Sequence, residues 1–484
     1  MSIVPSTILL AVAILLLLSV LVSKTASRTG LPALALFLLV GMLAGSEGIG
    51  KISFDNPETA RFLGVIAFCF ILFSGGLDTK TKQIKPVMWR GITLSTLGVL
   101  ITALALGIFV YWVTDFSLLE SMLLGSIVSS TDAAAVFTIF RSKDSGLKRN
   151  LRPTLELESG SNDPMAYFLT ITFITMIQQP ETSLWEMIFI FFRGMGLGLV
   201  MGFLLGKLMV RIINSVGLVA EGLYPVLAIS LMFISFALTE TIGGNGFLSV
   251  YLSGLVLGNS NFIHKRSLLK FYDGFAWLMQ ILMFLSLGLL VFPSQMTNVA
   301  GIGMLISVFL MFVVRPVAVV LCLLPFKVYY KDMSLVAWGG LKGAVPIIFA
   351  TYPMVEHIPN ASTIFHIVFF ITLTSLLLQG TTLFKFAKWV KLNIPERVAK
   401  KTVLEFDSDT IKSVLEETVV EPNFRCVNHT IVEMSLPKTA LIVMIERENK
   451  YFTPNGSTVI EIGDRLTILA DSKENIDTTF EALK

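Results

Sequence analysis

Charge, cysteine and histidine are all scarce in this 484-residue chain. Charged side chains make up 15% of it, against about 25% in ordinary soluble domains. That shortfall excludes a water-soluble fold for most of its length. The three cysteines, Cys69, Cys322 and Cys426, lie far apart and form no CxxC or Cys/His ligand spacing, and His264, His357, His366 and His429 are equally scattered. A disulfide framework and a zinc site are therefore excluded. No basic residue precedes the first apolar run and no small-residue cleavage site follows it, which argues against a cleavable signal peptide.

The composition is instead 54% hydrophobic, with 37 Phe, 20 Met and 36 Gly. Glycine at that frequency suits helices packed closely in a bilayer. Apolar runs between polar breaks predict thirteen membrane-spanning helices near 6–23, 31–46, 59–77, 88–114, 117–140, 156–178, 184–213, 221–240, 246–260, 265–292, 297–325, 332–354 and 362–391. The expected fold is an all-α polytopic membrane protein over residues 1–391. A linker at 392–426 and a small α+β domain at 427–484 follow.

Loop charges test the helix count independently. Loops after odd-numbered helices carry 18 Lys and Arg, from Lys24 and Arg28 to Lys327 and Lys331, whereas loops after even-numbered helices hold mainly Glu and Asp, with Lys51 and Arg61. The positive-inside rule then puts the N-terminus outside and the C-terminal domain in the cytoplasm of a bacterial inner membrane. Residues 1–402 carry 29 basic and 19 acidic side chains, and 403–484 carry 8 and 15. An acidic tail is not expected to bind nucleic acid or anionic lipid.

Beyond Trp389 the apolar pattern stops. An amphipathic helix is expected around 408–420. Strands are expected at TIVEMSL, ALIVMIER and RLTILA, and Asp471-Ser472 is expected to cap a helix at about 473–483. A domain of this size is near the lower limit for folding alone, so dimerisation is expected to support it.

Among the ionisable residues of the predicted spans, five stand out inside stretches that otherwise read as membrane-spanning helix: Asp132, Glu158, Asp163, Arg315 and Lys342. Each costs about 2.5–3.5 kcal/mol at a helix centre on insertion scales. Three carboxylates facing two cations leave one acid without a fixed partner, and such a group must hold a proton or a mobile cation. In the fifth span Ser129-Ser130-Thr131-Asp132 are better suited to a break and a new N-cap than to a helix interior. In the twelfth, WGGLKGAVP places three glycines and Pro346 where an unwound segment is expected. Asp132 and Lys342 occupy matching positions in these two spans, as expected of broken helices in inverted repeats. The expectation is that they neutralise each other and the half-helix dipoles, and that Glu158 pairs with Arg315. Asp163 is then the unpaired carboxylate, sharing a helix face with Ser159. Glu158 and Asn162 lie on the neighbouring face, and Pro164 frees the carbonyl of Gly160.

SSTDAAAVF, ESGSNDP, VVRPVAV and WGGLKGAVP, in this order and spacing, resemble the monovalent cation–proton antiporters of the bacterial NhaP type. The resemblance implies a homodimer with crossed broken helices five and twelve and an elevator-like motion of the core. It implies that Asp163 carries cation and proton in turn, helped by Thr131, Ser159 and Glu158, with Asp132 structural. Asn162 before Asp163 matches the branch thought to be electroneutral. The family usually has Arg where this chain has Lys342. From Val427 the tail is similar to an RCK C-terminal (TrkA-C) domain, which in relatives accompanies potassium transport. No GxGxxG precedes it at 391–425, so NAD-type gating is not expected, and a cyclic dinucleotide at the dimer cleft rests on family analogy.

The expected activity is exchange of K⁺, with Na⁺ as the nearest alternative, for H⁺, with no cofactor. An RCK-regulated cation channel lacks a TVGYG-like filter here. An intramembrane hydrolase lacks a Ser/Lys dyad at workable spacing.

Overall fold

The computed structural model describes residues 5–29, 32–143, 145–395, 414–420, 424–434, 436–437, 439–447, 450–470 and 473–483. Helices run in the order α1 (Pro5–Thr29), α2 (Ala33–Ala44), α3 (Pro57–Asp78), α4 (Thr81–Val113), α5 (Leu118–Ile127), α6 (Ala133–Arg141), α7 (Leu151–Gln178), α8 (Leu184–Ser215), α9 (Leu223–Thr241), α10 (Gly246–Gly258), α11 (Lys265–Leu289), α12 (Pro293–Phe326), α13 (Tyr330–Trp338), α14 (Val345–Val355) and α15 (Ala361–Trp389). Every stretch expected to span is helical, and the expected interruptions fall between α5 and α6 and between α13 and α14. Among the described residues seven helices are long and apolar enough to cross a membrane. The 28-residue α7 is long enough but not among them; the polar run Ser161-Asn162-Asp163-Pro164 interrupts its apolar length.

Two packed groups share the core. One holds α1–α3 and α8–α11, the other α4–α7 and α12–α15. Within the first, Gly198, Gly202 and Gly206 recur every fourth residue along α8 and meet α10 so closely that a Cβ would stand 2.9 Å from the Asn245 carbonyl and 2.8 Å from the side chains of Leu252 and Val256. Close approach of this kind is what small residues allow between membrane helices. Between the groups α14 packs on α3, and α7 meets α10.

The chain divides into two compact units, Met1–Lys401 and Thr402–Lys484. In the first, β1 (Ser145–Leu147) pairs antiparallel with β2 (Asn393–Pro395). In the second, β3 (Val414–Val419), β4 (Ala440–Arg447), β5 (Lys450–Phe452) and β6 (Arg465–Ala470) form an antiparallel sheet in the order β3-β6-β4-β5, and α16 (Lys473–Leu483) packs against it. Ile442, Ile445, Leu466, Ile468 and Leu483 fill its core. Arg447 bonds the carboxylates of Asp464 and Glu461.

ALIVMIER, RLTILA and the closing helix fold as expected. Three expectations are corrected. VLEETV is the edge strand β3, not part of a helix or of a linker reaching 426; paired on β6 it is stabilised by its partner strand, which helix periodicity cannot reveal. Residues 408–413 and the cap at Asp471-Ser472 lie outside the described residues. TIVEMSL contributes one bridge, Thr430 to Val459, and then turns. Glu433 folds back to accept the Thr430 N–H at 2.8 Å, a local bond that competes with strand pairing.

Candidate ion-binding site

The two interruptions are built to meet. Ser117 and Glu120 form a capping box that starts α5, and α5 ends at Ile127, so its last carbonyls are unsatisfied within the helix. Asp132 then caps α6, its Oδ1 accepting the Ala135 N–H at 3.1 Å. From the other side Gly339 to Ala344 run unwound between α13 and α14. The Asp132 N–H donates to the Leu341 carbonyl at 2.8 Å, which ties the two extended stretches together. Gly343 is required at this crossing: a Cβ there would lie 2.4 Å from Asp132 Oδ2.

Lys342 is buried. Its Nζ donates to the carbonyls of Ser130 at 2.9 Å and Ser129 at 3.3 Å, and no ion pair joins it to Asp132 among the described residues. The expected Asp132–Lys342 pair is therefore corrected. The physical reason is the helix ends: an ammonium goes to the carbonyl-rich end following α5, and a carboxylate goes to the amide-rich start of α6. Lysine suits that post. Its compact ammonium donates to both carbonyls, as basic side chains do at the C-terminal ends of helices.

Glu158 and Arg315 are both buried and meet at 2.5 Å. Glu158 Oε2 and Arg315 Nε have no other partner. Asp163, 6% exposed, forms no ion pair among the described residues; its Oδ1 accepts a hydrogen bond from Ser130 Oγ. Thr131 Oγ1 does not reach it, and instead accepts from Asn162 Nδ2 at 2.6 Å. Ser159 Oγ accepts the Ala133 N–H and donates to the Thr131 carbonyl, both at 3.1 Å. Thr131, Ser159 and Asn162 thus brace the break, and Ser130 touches the carboxylate.

A cavity of about 490 Å³ is lined by Asp163, Ser159, Gly160 and Asp132. It also reaches Asp78 and Arg141, at the ends of α3 and α6. On the far side of Asp163, one turn along α7, the ring of Tyr167 packs against Phe247 at 4.9 Å and Tyr352 at 5.6 Å. The Pro164 carbonyl accepts from Asn245 Nδ2 at 2.9 Å, linking α7 to the start of α10. Carboxylate, hydroxyl and carbonyl oxygens around such a cavity suit a weakly held monovalent cation, and the described residues hold no cluster suited to a transition metal.

Sequence reading missed Ser130, Ser375 and Gln379. The last two were visible only as a polar pair four apart in the apolar run LTSLLLQG.

Two interrupted helices crossing inside a bundle, beside a cavity that ends on a buried carboxylate, define a secondary transporter. The chain belongs to the sodium/hydrogen exchanger family, whose transmembrane domain matches residues 12–389, and residues 415–484 match the TrkA-C domain. A relative named K(+)/H(+) antiporter NhaP2, from Shewanella sp. (strain ANA-3), is 38% identical over 95% of this chain and 80% of its own. One named K(+)/H(+) antiporter NhaP, from Alkalimonas amylolytica, is 35% identical over the same shares. The structure of the sodium proton antiporter MjNhaP1 from Methanocaldococcus jannaschii covers 77% of this chain and 99% of its own at 25% identity, with a TM-score of 0.67.

Proposed function

We propose that the protein exchanges K⁺ for H⁺ across the bacterial cytoplasmic membrane, proton and cation competing for Asp163. The observation that carries this is Asp163 itself, a buried carboxylate with a hydroxyl donor, no cationic partner among the described residues and a cavity at its side. A carboxylate so placed needs a charge from solution, and the two available kinds exclude each other. Thr131, Ser159 and Asn162 hold the backbone around the exchanged ion, and the Glu158–Arg315 pair stays closed through the cycle. Potassium is preferred over sodium because relatives matching 95% of the chain are named for potassium, whereas one named Na(+)/H(+) antiporter 1 matches 72%.

The topology has thirteen spans with the N-terminus outside. The cavity reaches Asp78 and Arg141, which border the basic loops after α3 and α6, so it opens to the cytoplasm and the state is inward-facing. The protein works as a homodimer, and the TrkA-C domain takes a small regulator, a cyclic dinucleotide being the candidate.

The deciding experiment is dissipation of a pH gradient in proteoliposomes by K⁺, Na⁺, Li⁺ and Rb⁺. K⁺ and Rb⁺ should act at the lowest concentrations. Preference for Na⁺ and Li⁺ would overturn the ion assignment, and no response to any cation would overturn antiport.

A further inference from the structure

Ser375 and Gln379 are buried in α15, and neither touches the cavity. They bound one π-helical turn, Ser375–Gln379, one of three among the described residues, an irregularity frequent at functional sites. Ser375 Oγ accepts the Lys342 N–H at 3.0 Å and donates to Gln379 Oε1 at 2.6 Å. Gln379 Nε2 donates to the Trp338 carbonyl at 3.2 Å. Trp338 ends α13, so one pair of side chains takes up backbone groups at both ends of the stretch Gly339–Lys342. The connection continues inward: Lys342 Nζ lies on the Ser130 carbonyl, and the Ser130 hydroxyl lies on Asp163.

We propose that Ser375 and Gln379 are positioning residues for the exchanging carboxylate. They fix the main chain at Lys342, which fixes where its ammonium meets Ser129 and Ser130, and thereby place both the charge and the Ser130 hydroxyl relative to Asp163. The inference rests on the reading of Asp163 as the carrier. Without the Ser375 hydroxyl, the Lys342 N–H is a buried donor with no acceptor. The Ser130 oxygens, one of them on Asp163, are then no longer held in one place. A cation needs several oxygens at set distances and loses more by this than a proton, which needs the carboxylate alone, so the cation competes less well.

The test uses full-length protein in proteoliposomes, with K⁺-driven proton flux measured over a pH series and thermal unfolding measured in parallel. Ser375→Ala and Gln379→Leu should raise the apparent KM for K⁺ by roughly threefold or more. They should also move the half-maximal pH upward by about half a unit or more. Ser375→Thr, which keeps the hydroxyl, should match the parent. Where Ser375→Ala does not fold, Ser375→Cys, similar in shape and a weak hydrogen-bonding group, should shift both quantities in the same direction. Folded variants with unchanged KM and pH profile would overturn the proposal, as would a Ser375→Thr shift equal to that of alanine. A parent protein with no K⁺-dependent flux would strike the antiport reading instead.

Discussion

Lys342 Nζ lies 2.9 Å from the carbonyl oxygen of Ser130, so the buried cation of one broken helix is held by the main chain of the other. A carbonyl pair attracts an ammonium less than a carboxylate does. The arrangement holds the Lys342 side chain next to the Ser130–Asp163 contact with no ion pair to a carboxylate among the described residues.

That arrangement separates Asp132 from Lys342 energetically. Asn is as good an N-cap as Asp, so Asp132→Asn should leave stability within about 0.5 kcal/mol, while Asp132→Ala should cost about 0.5–2 kcal/mol. Lys342→Met strands two buried carbonyls at about 1–3 kcal/mol each and should be the most damaging of the three. Thermal unfolding in detergent gives the order. Equal losses for Asp132→Asn and Lys342→Met would point to an ion pair after all.

Asp163→Asn should abolish cation-driven proton flux with no loss of folded protein, because it removes the buried carboxylate beside the crossed interruptions that neither caps a helix nor, among the described residues, forms a salt bridge. Flux at the parent level in that variant would sink the carrier assignment.

Either single change, Glu158→Gln or Arg315→Met, breaks a buried pair and should cost about 3–5 kcal/mol. The double variant should lose clearly less than the sum of the two. A double-mutant cycle checks this, and additivity would mean that the 2.5 Å contact contributes nothing of its own.

One exchanging carboxylate, with the neutral Asn162 beside it bonded to Thr131, implies one proton per cation. A potential imposed by a gradient of a permeant anion such as thiocyanate should therefore leave the rate of K⁺-driven exchange unchanged. Voltage dependence would show that a second acid, Glu158 foremost, changes charge during the cycle.

Glu47, in the loop after α2, accepts the Ser294 hydroxyl at 2.5 Å and its N–H at 2.7 Å. The hydroxyl first and then the amide hold its carboxyl below the usual carboxylate range. Because the folded value is the lower one, the stabilisation is fully present above the unfolded value and is lost as pH falls through the folded value. Glu47→Gln should therefore melt earlier than the parent at neutral pH, with the difference closing in acid. A difference constant with pH would contradict the contact.

The interruptions are legible in the sequence because residues that disrupt helices, Ser129 to Asp132 and Gly339 to Pro346, stand in otherwise apolar runs. Pairing the charges across them is not legible. Aligning Asp132 with Lys342 compares side chains only, and the partners that matter are carbonyls and amides, which every residue carries. Ser375 and Gln379 escape notice for a related reason: a lone hydroxyl and amide within LTSLLLQG pass for ordinary span residues until the backbone they serve is known. In the tail, the adjacent Glu416 and Glu417 break the alternation expected of a strand, and only the neighbouring β6 reveals β3.

The glycines of α8 leave no slack where it meets α10. Helices in contact at the main chain cannot bend or slide independently, so the two behave as a single beam. The other helix group, with Asp163 in it, rests on that beam where α7 meets α10. A bulky side chain at Gly202 would bow the beam and press on α7 without touching one atom of the ion site.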